Sequence, residues 1–423
     1  MGNPGSHNEI LPHLFRQEHA KMTAVLCRHF GLKHVEIAED IASDTFLKAS
    51  EHWAIYGVPE NPIAWLYTVA KNKTKDHFKQ LAVFDTKVKP QTEAENIPYE
   101  FEFEFHNQVV SDSQLAMIFA VCNPANSSKG QICLALQILC GFRVEEIANA
   151  FLTKAETIKK RLQRARSNLR NDNFQITSLS EKTIVSRLDT VLKTLYLVFN
   201  EGYFSKSNDQ VVRRGLCAEA IRLGLVLTEN PLTNTAKLNA LLALMCYQSS
   251  RLEARAGDRG ETILFDEQDR ERWDESLIQR GHYYLTNATT AGTEISTYHL
   301  EAGIAYWHTA TSDVDKWPHI LQLYNQLILV EYSPIVALNR TFAFAKVYGC
   351  QKAIVEAEKL KLTGSSYYHG LLGYLYAEVN TKKAVAHYEQ AIRLTQSESE
   401  RQVLRRIKVS LKDDNLRDTD WMR

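Results

Sequence analysis

The sequence predicts an all-α protein of more than one domain. Three observations carry that expectation. Apolar residues recur at steps of three and four along most of the chain, the period of a helix with one buried face. Helix breakers are scarce, with 18 Gly and 10 Pro in 423 residues. The period-two alternation of a strand occurs once, at Tyr99-Glu-Phe-Glu-Phe-Glu-Phe105, and no second strand offers to pair with it, so the stretch reads as an extended linker. A length of 423 residues suggests two or three domains.

In chain order, Glu9 to Phe30 is an amphipathic helix with Leu11, Leu14, Phe15, Ala24, Val25 and Leu26 on its apolar side. A second helix begins near Val35 and buries Ala38, Ile41, Ala42, Thr45, Phe46, Ala49 and Trp53. Glu36, Asp40 and Asp44 repeat every four residues on another of its faces. Like charges at that spacing repel by a few tenths of a kcal/mol per pair. Two readings account for them: acids suit a helix N-terminus through its dipole, or they form a docking face for a basic partner. A loop over residues 54–60 follows. Asn61 then caps a third helix that opens on Pro62. Lys71, Lys73, Lys75 and Lys79 against Asp76 leave this helix at +3. Trp53, Tyr56, Trp65 and Tyr67 lie close by in sequence, and aromatics interleaved with cations suit melted DNA, whose bases stack and whose phosphates pair with charge. The bland reading of Trp53 and Trp65 is core.

Residues 81–110 change character, with acids at Asp85, Glu93, Glu95, Glu100, Glu102 and Glu104 against Lys87 and Lys89. Helices resume near Ser111, pause at residues 123–126, and lead into Gly141–Arg170. That stretch reads as two helices and a turn. The first runs from about Val144 to Phe151. Thr153 and Glu156 have the spacing of a capping box for the second, along which Ile158, Leu162, Ala165 and Leu169 share a face. From Arg143 to Arg170 there are eight Lys/Arg against three Glu, a net of +5. This is the shape and charge of a helix-turn-helix whose second helix lies in a major groove; an ordinary hairpin with a solvated basic face is the alternative. Formal net charge is zero over the whole chain, so nucleic-acid binding must rest on such local segregation.

Beyond Asp172 the chain reads as helical almost throughout. Ala353-x3-Ala357-x2-Leu360 recurs 31 residues later as Ala384-x3-Tyr388-x2-Ala391, similar to the second helix of a tetratricopeptide repeat. The chain closes on a charged tail. Seven cysteines without a C-x-x-C pair read as reduced, buried thiols of a cytoplasmic protein, and there is no membrane-spanning run and no signal peptide. Nor is there a P-loop, a G-x-S-x-G, an H-E-x-x-H or a zinc spacing. No catalytic residue, cofactor or metal site is expected. His299, His308 and His319 read as structural, and Asp266 to Arg272 as a solvated or salt-bridged face. The Asn200-Glu201-Gly202-Tyr203 segment reads as a turn that ends a helix or serves an interface.

The blocks AEDIASDTFLKA and ENPIAWLYTVAKNKTKDHFKQ together resemble region 2 of the extracytoplasmic-function (ECF) group of bacterial sigma-70 factors, and EEIANAFLTKAETIKKRLQRAR resembles their region 4. The block LYLVFNEGYFSKSNDQVVRRGLCAEAIRLGLVL and later segments resemble the long helical extension carried by one branch of that group. One departure is that the first helix of the helix-turn-helix has Arg143-Val144 where a Ser or Thr cap is usual. The resemblance implies sigma region 2 over 1–80, an acidic, aromatic linker over 81–110, region 4 over 111–172, and a regulatory extension over 173–423 that is tetratricopeptide-like from about 330. It implies an alternative sigma factor, without catalysis, whose partners are core RNA polymerase and promoter DNA, with no membrane. Polymerase docking falls to Asp40, Asp44, Phe46 and Lys48. The −10 element falls to Trp53, Tyr56, Asn61, Lys71, Asn72 and Lys75. The −35 element falls to Thr157, Lys160 and Arg164, with Lys154 and Lys159 on phosphates. The linker is expected to run through the polymerase cleft. The extension is expected to contact the sigma regions and modulate activity. A reading from another class is a helix-turn-helix regulator whose repeat domain senses a ligand or peptide.

Overall fold

The computed structural model describes residues 7–88, 107–172, 174, 176–177, 179–204, 210–255, 263, 265–290, 294–309 and 315–420. Among the described residues every regular element is helical, as the apolar periodicity requires. The chain forms two compact units, residues 1–233 and 234–423.

The first unit holds α1 (His7–Phe30), α2 (Val35–Tyr56), α3 (Pro62–Val88), α4 (Asn107–Val121), α5 (Ser128–Leu134), α6 (Val144–Ala150), α7 (Ala155–Asn171), α8 (Glu181–Tyr203) and α9 (Gln210–Thr228). A π-helical turn, Ala135–Leu139, continues α5. The anticipated stripe of α2 is its buried face, and α1 packs along it. At the centre is α4. Leu115 through Cys122 are all buried, because α1 covers one side and α8, α9 and the π turn cover others. A helix apolar all round needs such an enclosure. Polar contacts tie the same elements together. Arg187 of α8 pairs with Asp172 at 3.0 Å and donates to the Phe119 carbonyl; Arg222 of α9 donates to the Leu139 carbonyl at 2.8 Å. The compact unit therefore runs some sixty residues beyond the boundary expected after 172, and takes in α8 and α9.

Several local expectations change. Residues 81–88 continue α3 and 107–110 open α4; the alternating Tyr99–Phe105 stretch, with Glu100, Glu102 and Glu104, lies outside the described residues. Asn200 to Tyr203 form the last turn of α8, so the segment does end a helix, with Gly202 inside it and buried. The expected charged tail is helical through Asp420.

The second unit runs from α10 (Ala236–Ser249) through α11 (Glu275–Thr290), α12 (Thr297–Thr309), α13 (Trp317–Val330), α14 (Pro334–Tyr348), α15 (Cys350–Lys359), α16 (Ser366–Ala377) and α17 (Thr381–Leu394) to α18 (Glu398–Asp420). From α12 onward each helix packs on its neighbours in sequence. Ala353 and Ala357 are fully buried in α15, as are Ala384 and Ala391 in α17. Tyr388, which stands where the earlier unit has a second alanine, rests on Gly373 of α16, where a Cβ would lie 2.9 Å from its ring. The histidines do not converge. His299 Nδ1 lies 2.8 Å from Ser296 Oγ, His308 sits against Phe265 and Trp317, and His319 stacks on Trp307. In the Asp266–Arg272 stretch, Glu267 pairs with Arg406 of α18, and Arg270 lies over the Trp273 ring. All seven cysteines are free, and only Cys350 is not buried; burial pushes the Cys122 thiol up to about 12 and that of Cys246 to about 11.

Candidate functional site

The first unit presents three surfaces. The acidic one is the outer face of α2, where Glu36, Asp40 and Asp44 are exposed. Asp44 reaches Lys73 of α3 at 3.3 Å, and Lys48 is exposed one turn on. Phe46 does not belong to this surface. It is 4% exposed and packs edge-on to Phe15 at 5.1 Å, because its position falls on the apolar stripe that α1 covers. Phe46 is thus a correction to the expected docking set: it holds α2 in place from beneath.

The second surface is the α2–α3 corner. Gly57 ends α2 with φ +79°, its amide returning to the Trp53 carbonyl at 3.0 Å. Ile55 and Tyr56 stand out beside it, Tyr56 74% exposed. Asn61 does cap α3, its Oδ1 accepting from the Ala64 amide at 3.0 Å. In this structure that carboxamide is therefore engaged by its own helix. Asn72 and Lys75 are exposed along α3 and Lys71 is half-buried. Trp53 is the second correction: 1% exposed and packed on Trp65 at 5.5 Å, it is core and offers no face to a base. Tyr67 is likewise inside, donating to Glu18 at 2.9 Å; burial and that carboxylate push its phenol well up. Of the four aromatics, Tyr56 alone is open.

The third surface is α7, reached from α6 by a tight turn. Leu152 takes φ +47° there, and the Thr153 amide returns to the Ala148 carbonyl at 2.9 Å. That bond closes α6 and delays entry into α7 by one residue. Lys154 becomes the N-cap, without a side-chain bond, so the Thr153–Glu156 capping box does not form. At the start of α6 the missing Ser or Thr is replaced from the other direction: Glu146 accepts from the Arg143 amide at 2.8 Å. Ile158, Leu162, Ala165 and Leu169 are buried. Lys154, Lys159, Lys160 and Arg164 are exposed and Thr157 half-exposed beside them, a cationic flank suited to phosphates and base edges.

The sequence reading overlooked how α7 meets α2. Arg166 lies 2.7 Å from Glu39, both side chains only 13–14% exposed, and it also donates to Gln137 at 3.0 Å. Arg170 pairs with Glu36 at 3.1 Å. Burial pushes the Glu39 carboxyl up while Arg166 pulls it down. The available signal was positional: Arg166 follows Leu162 by four residues, at the edge of the buried stripe, so its stem faces inward.

Residues 14–83 match the family model for sigma-70 region 2. The chain carries a sigma-70 region 2 domain. The matched residues contain α2, its corner and most of α3, so two of the three surfaces lie on this region 2 domain. Residues 187–289 match a family of unknown function (DUF6596), a match that begins in α8 and ends in α11. An uncharacterized protein of Rhizobium meliloti (strain 1021) is 30% identical over 388 residues, 90% of each chain. No solved structure matches. Among the described residues no group of His, Cys, Asp and Glu is arranged to hold a metal ion, and no helix is long and apolar enough to cross a membrane.

Proposed function

We propose that this protein is an alternative sigma factor of the ECF type within the sigma-70 family, which brings core RNA polymerase to promoters and is modulated by its own C-terminal helices. The acidic face of α2 docks polymerase through Asp40, Asp44 and Lys48. Tyr56 and the open side of α3, with Asn61, Lys71, Asn72 and Lys75, engage the melted −10 strand, where stacking and phosphate pairing act together. Helices α4–α7 serve as region 4, with Thr157, Lys160 and Arg164 at −35 base edges and Lys154 and Lys159 on phosphates. The residues past 172 form the modulating extension, tetratricopeptide-like from about 330. The observation that carries this reading is the region 2 match coinciding with an exposed acidic helix, an exposed aromatic corner and a separate exposed basic helix on one compact unit. A simple helix-turn-helix regulator has no use for the first two.

The test is co-purification with bacterial core RNA polymerase. The natural chain is expected to bind, and Asp40→Arg/Asp44→Arg to lose binding while still retaining duplex DNA. A natural chain that ignores core but holds duplex DNA refutes the sigma reading in favour of a regulator that acts outside polymerase.

A further inference from the structure

Four rings form a pile at the α2–α3 corner. Tyr56, the last residue of α2, has its centroid 4.6 Å from that of His52, one helical turn earlier. His52 lies 5.3 Å from Trp65 of α3, and Trp65 lies 5.5 Å from Trp53. All three separations fall in the range of favourable aromatic pairs. The pile runs from the inside outward. Trp53 is buried, Trp65 and His52 are half-buried, and Tyr56 is open. Its inner end is fixed by the packing of α2 on α3. At its outer end α2 stops at Gly57, so no further turn of that helix covers Tyr56.

His52 Nδ1 is buried without a hydrogen-bond partner, so what the residue brings at this point is the ring itself. Residues four apart on a helix are neighbours on one face, which sets His52 beneath Tyr56. An exposed side chain that its ligand must immobilise gives up rotamer freedom on binding. A tyrosine already resting on a ring that Trp65 holds gives up less of it, and most of Tyr56 still faces solvent.

We infer that His52 is a positioning residue for strand binding: it seats Tyr56 so that a base of a melted strand stacks as the next ring of the pile. The inference rests on the reading that Tyr56 engages the −10 strand. His52 acts through Tyr56 and not by touching DNA. The ring is what is required, so phenylalanine serves in its place, and leucine, which fills space without a π face, does not. The ligand is single-stranded because a base must leave its pair and its stack to reach such a platform. Its sequence matters little to this contact, because every base has a π face.

The experiment compares the natural full-length chain with His52→Leu, His52→Phe, Tyr56→Ala and the combined His52→Leu/Tyr56→Ala. The probe is oligo(dA) carrying one 2-aminopurine, whose emission falls when the base stacks; a duplex of mixed sequence is the control. His52→Leu is expected to weaken single-strand affinity about three- to tenfold, the scale of one aromatic pair, and to lose part of the quenching. His52→Phe stays within about twofold of the natural chain, since it keeps the ring pair. Both keep the natural duplex affinity, because duplex binding is assigned to α7. In the Tyr56→Ala background His52→Leu changes nothing further, since the residue it positions is gone. A purely structural His52 lowers the thermal midpoint and both affinities together, and acts equally with and without Tyr56. That additive result overturns the inference. So does a His52→Leu chain that holds the strand as the natural chain does while Tyr56→Ala holds it weakly; the −10 reading survives both outcomes. If the natural chain does not bind the strand, or Tyr56→Ala binds it equally well, the reading of Tyr56 falls and the inference with it. Thermal melts check each fold. Should His52→Leu unfold, His52→Met, a flexible filler without a ring, decides by the same comparison.

Discussion

Cutting the chain after Asn171 removes everything beyond the helix-turn-helix and tempts a reading of the result as the effect of losing a regulator. The structure predicts a different outcome. Helices α8 and α9 carry Val191, Leu192, Leu195, Val198, Phe199, Leu216, Leu223 and Leu227, each with no exposed surface. Full burial of such side chains contributes about 1.5–3 kcal/mol apiece, an upper bound for area arguments. If half of that lies in the contact between α8 and α9 themselves, about 6–12 kcal/mol still belongs to their seat on α4, α5 and α6, against a typical total stability of about 5–15 kcal/mol. The truncation also strips Arg187 from the Phe119 carbonyl and Arg222 from the Leu139 carbonyl. Residues 1–171 are therefore expected to lack a cooperative thermal transition, while residues 1–233 keep one. Circular dichroism melts of the two fragments decide the matter. A 1–171 fragment that unfolds cooperatively within a few degrees of 1–233 refutes the argument that α8 and α9 complete the core. Transcription assays on the extension belong with the cut after Thr233, where gain of activity indicates an inhibitory second unit and loss a supporting one.

Three further outcomes follow. Gly281→Ala places a Cβ 2.5 Å from the buried Tyr247 ring, whose hydroxyl is held at 2.8 Å from His282 Nδ1. Overpacking of about 1–3 kcal/mol outweighs the gain of about 1 kcal/mol in helix propensity, so denaturant melts should show a net loss, and a stabilised variant refutes the contact. Burial holds the His19 imidazole down to about 4, so it folds neutral. Its stabilising share is complete above the unfolded value near 6.5 and drains as pH falls toward 4, by about 3 kcal/mol; urea midpoints of His19→Gln should lose part of that acid slope, and an unchanged slope counts against the assignment. Asn61→Ala removes the cap of α3 and should cost about 1 kcal/mol, whereas Asn61→Asp or Asn61→Ser keeps most of it, as thermal melts will report; an alanine variant as stable as the natural chain rules the cap out.

The helices were legible because their buried stripes repeat at three and four: the set named for α2 is buried to the last residue, and so is Ile158–Leu162–Ala165–Leu169 in α7. The Asn61 cap was legible because cap and first helical residue sit side by side. Depth was harder to read. Trp53 and Phe46 lie on the stripe, and their chemistry drew them toward the interface when their phase already put them inside. The Thr153–Glu156 motif had the right spacing, but a capping box also needs the chain to enter the helix at Thr153, and the return of that amide to Ala148 forbids it. The α4 run offers no phase at all. An apolar helix without a polar side announces that it is enclosed and says nothing about what encloses it, so the inclusion of α8 and α9 was out of reach. Arg166 was obscured by its neighbours, since seven other cations in the stretch suggested one basic face where there are two flanks.

Those two flanks have a consequence for how such a chain can diversify. Arg164 and Arg166 are two residues apart, about 200° around the helix axis, so one points outward and the other at Glu39. Substitutions on the outward side change the exposed surface and leave the contacts with α2 untouched. Substitutions on the inward side change the contacts with Glu39 and Glu36 without altering the outward surface. Selection can therefore vary the exposed surface of α7 and its seat on α2 separately, on a single helix of about five turns.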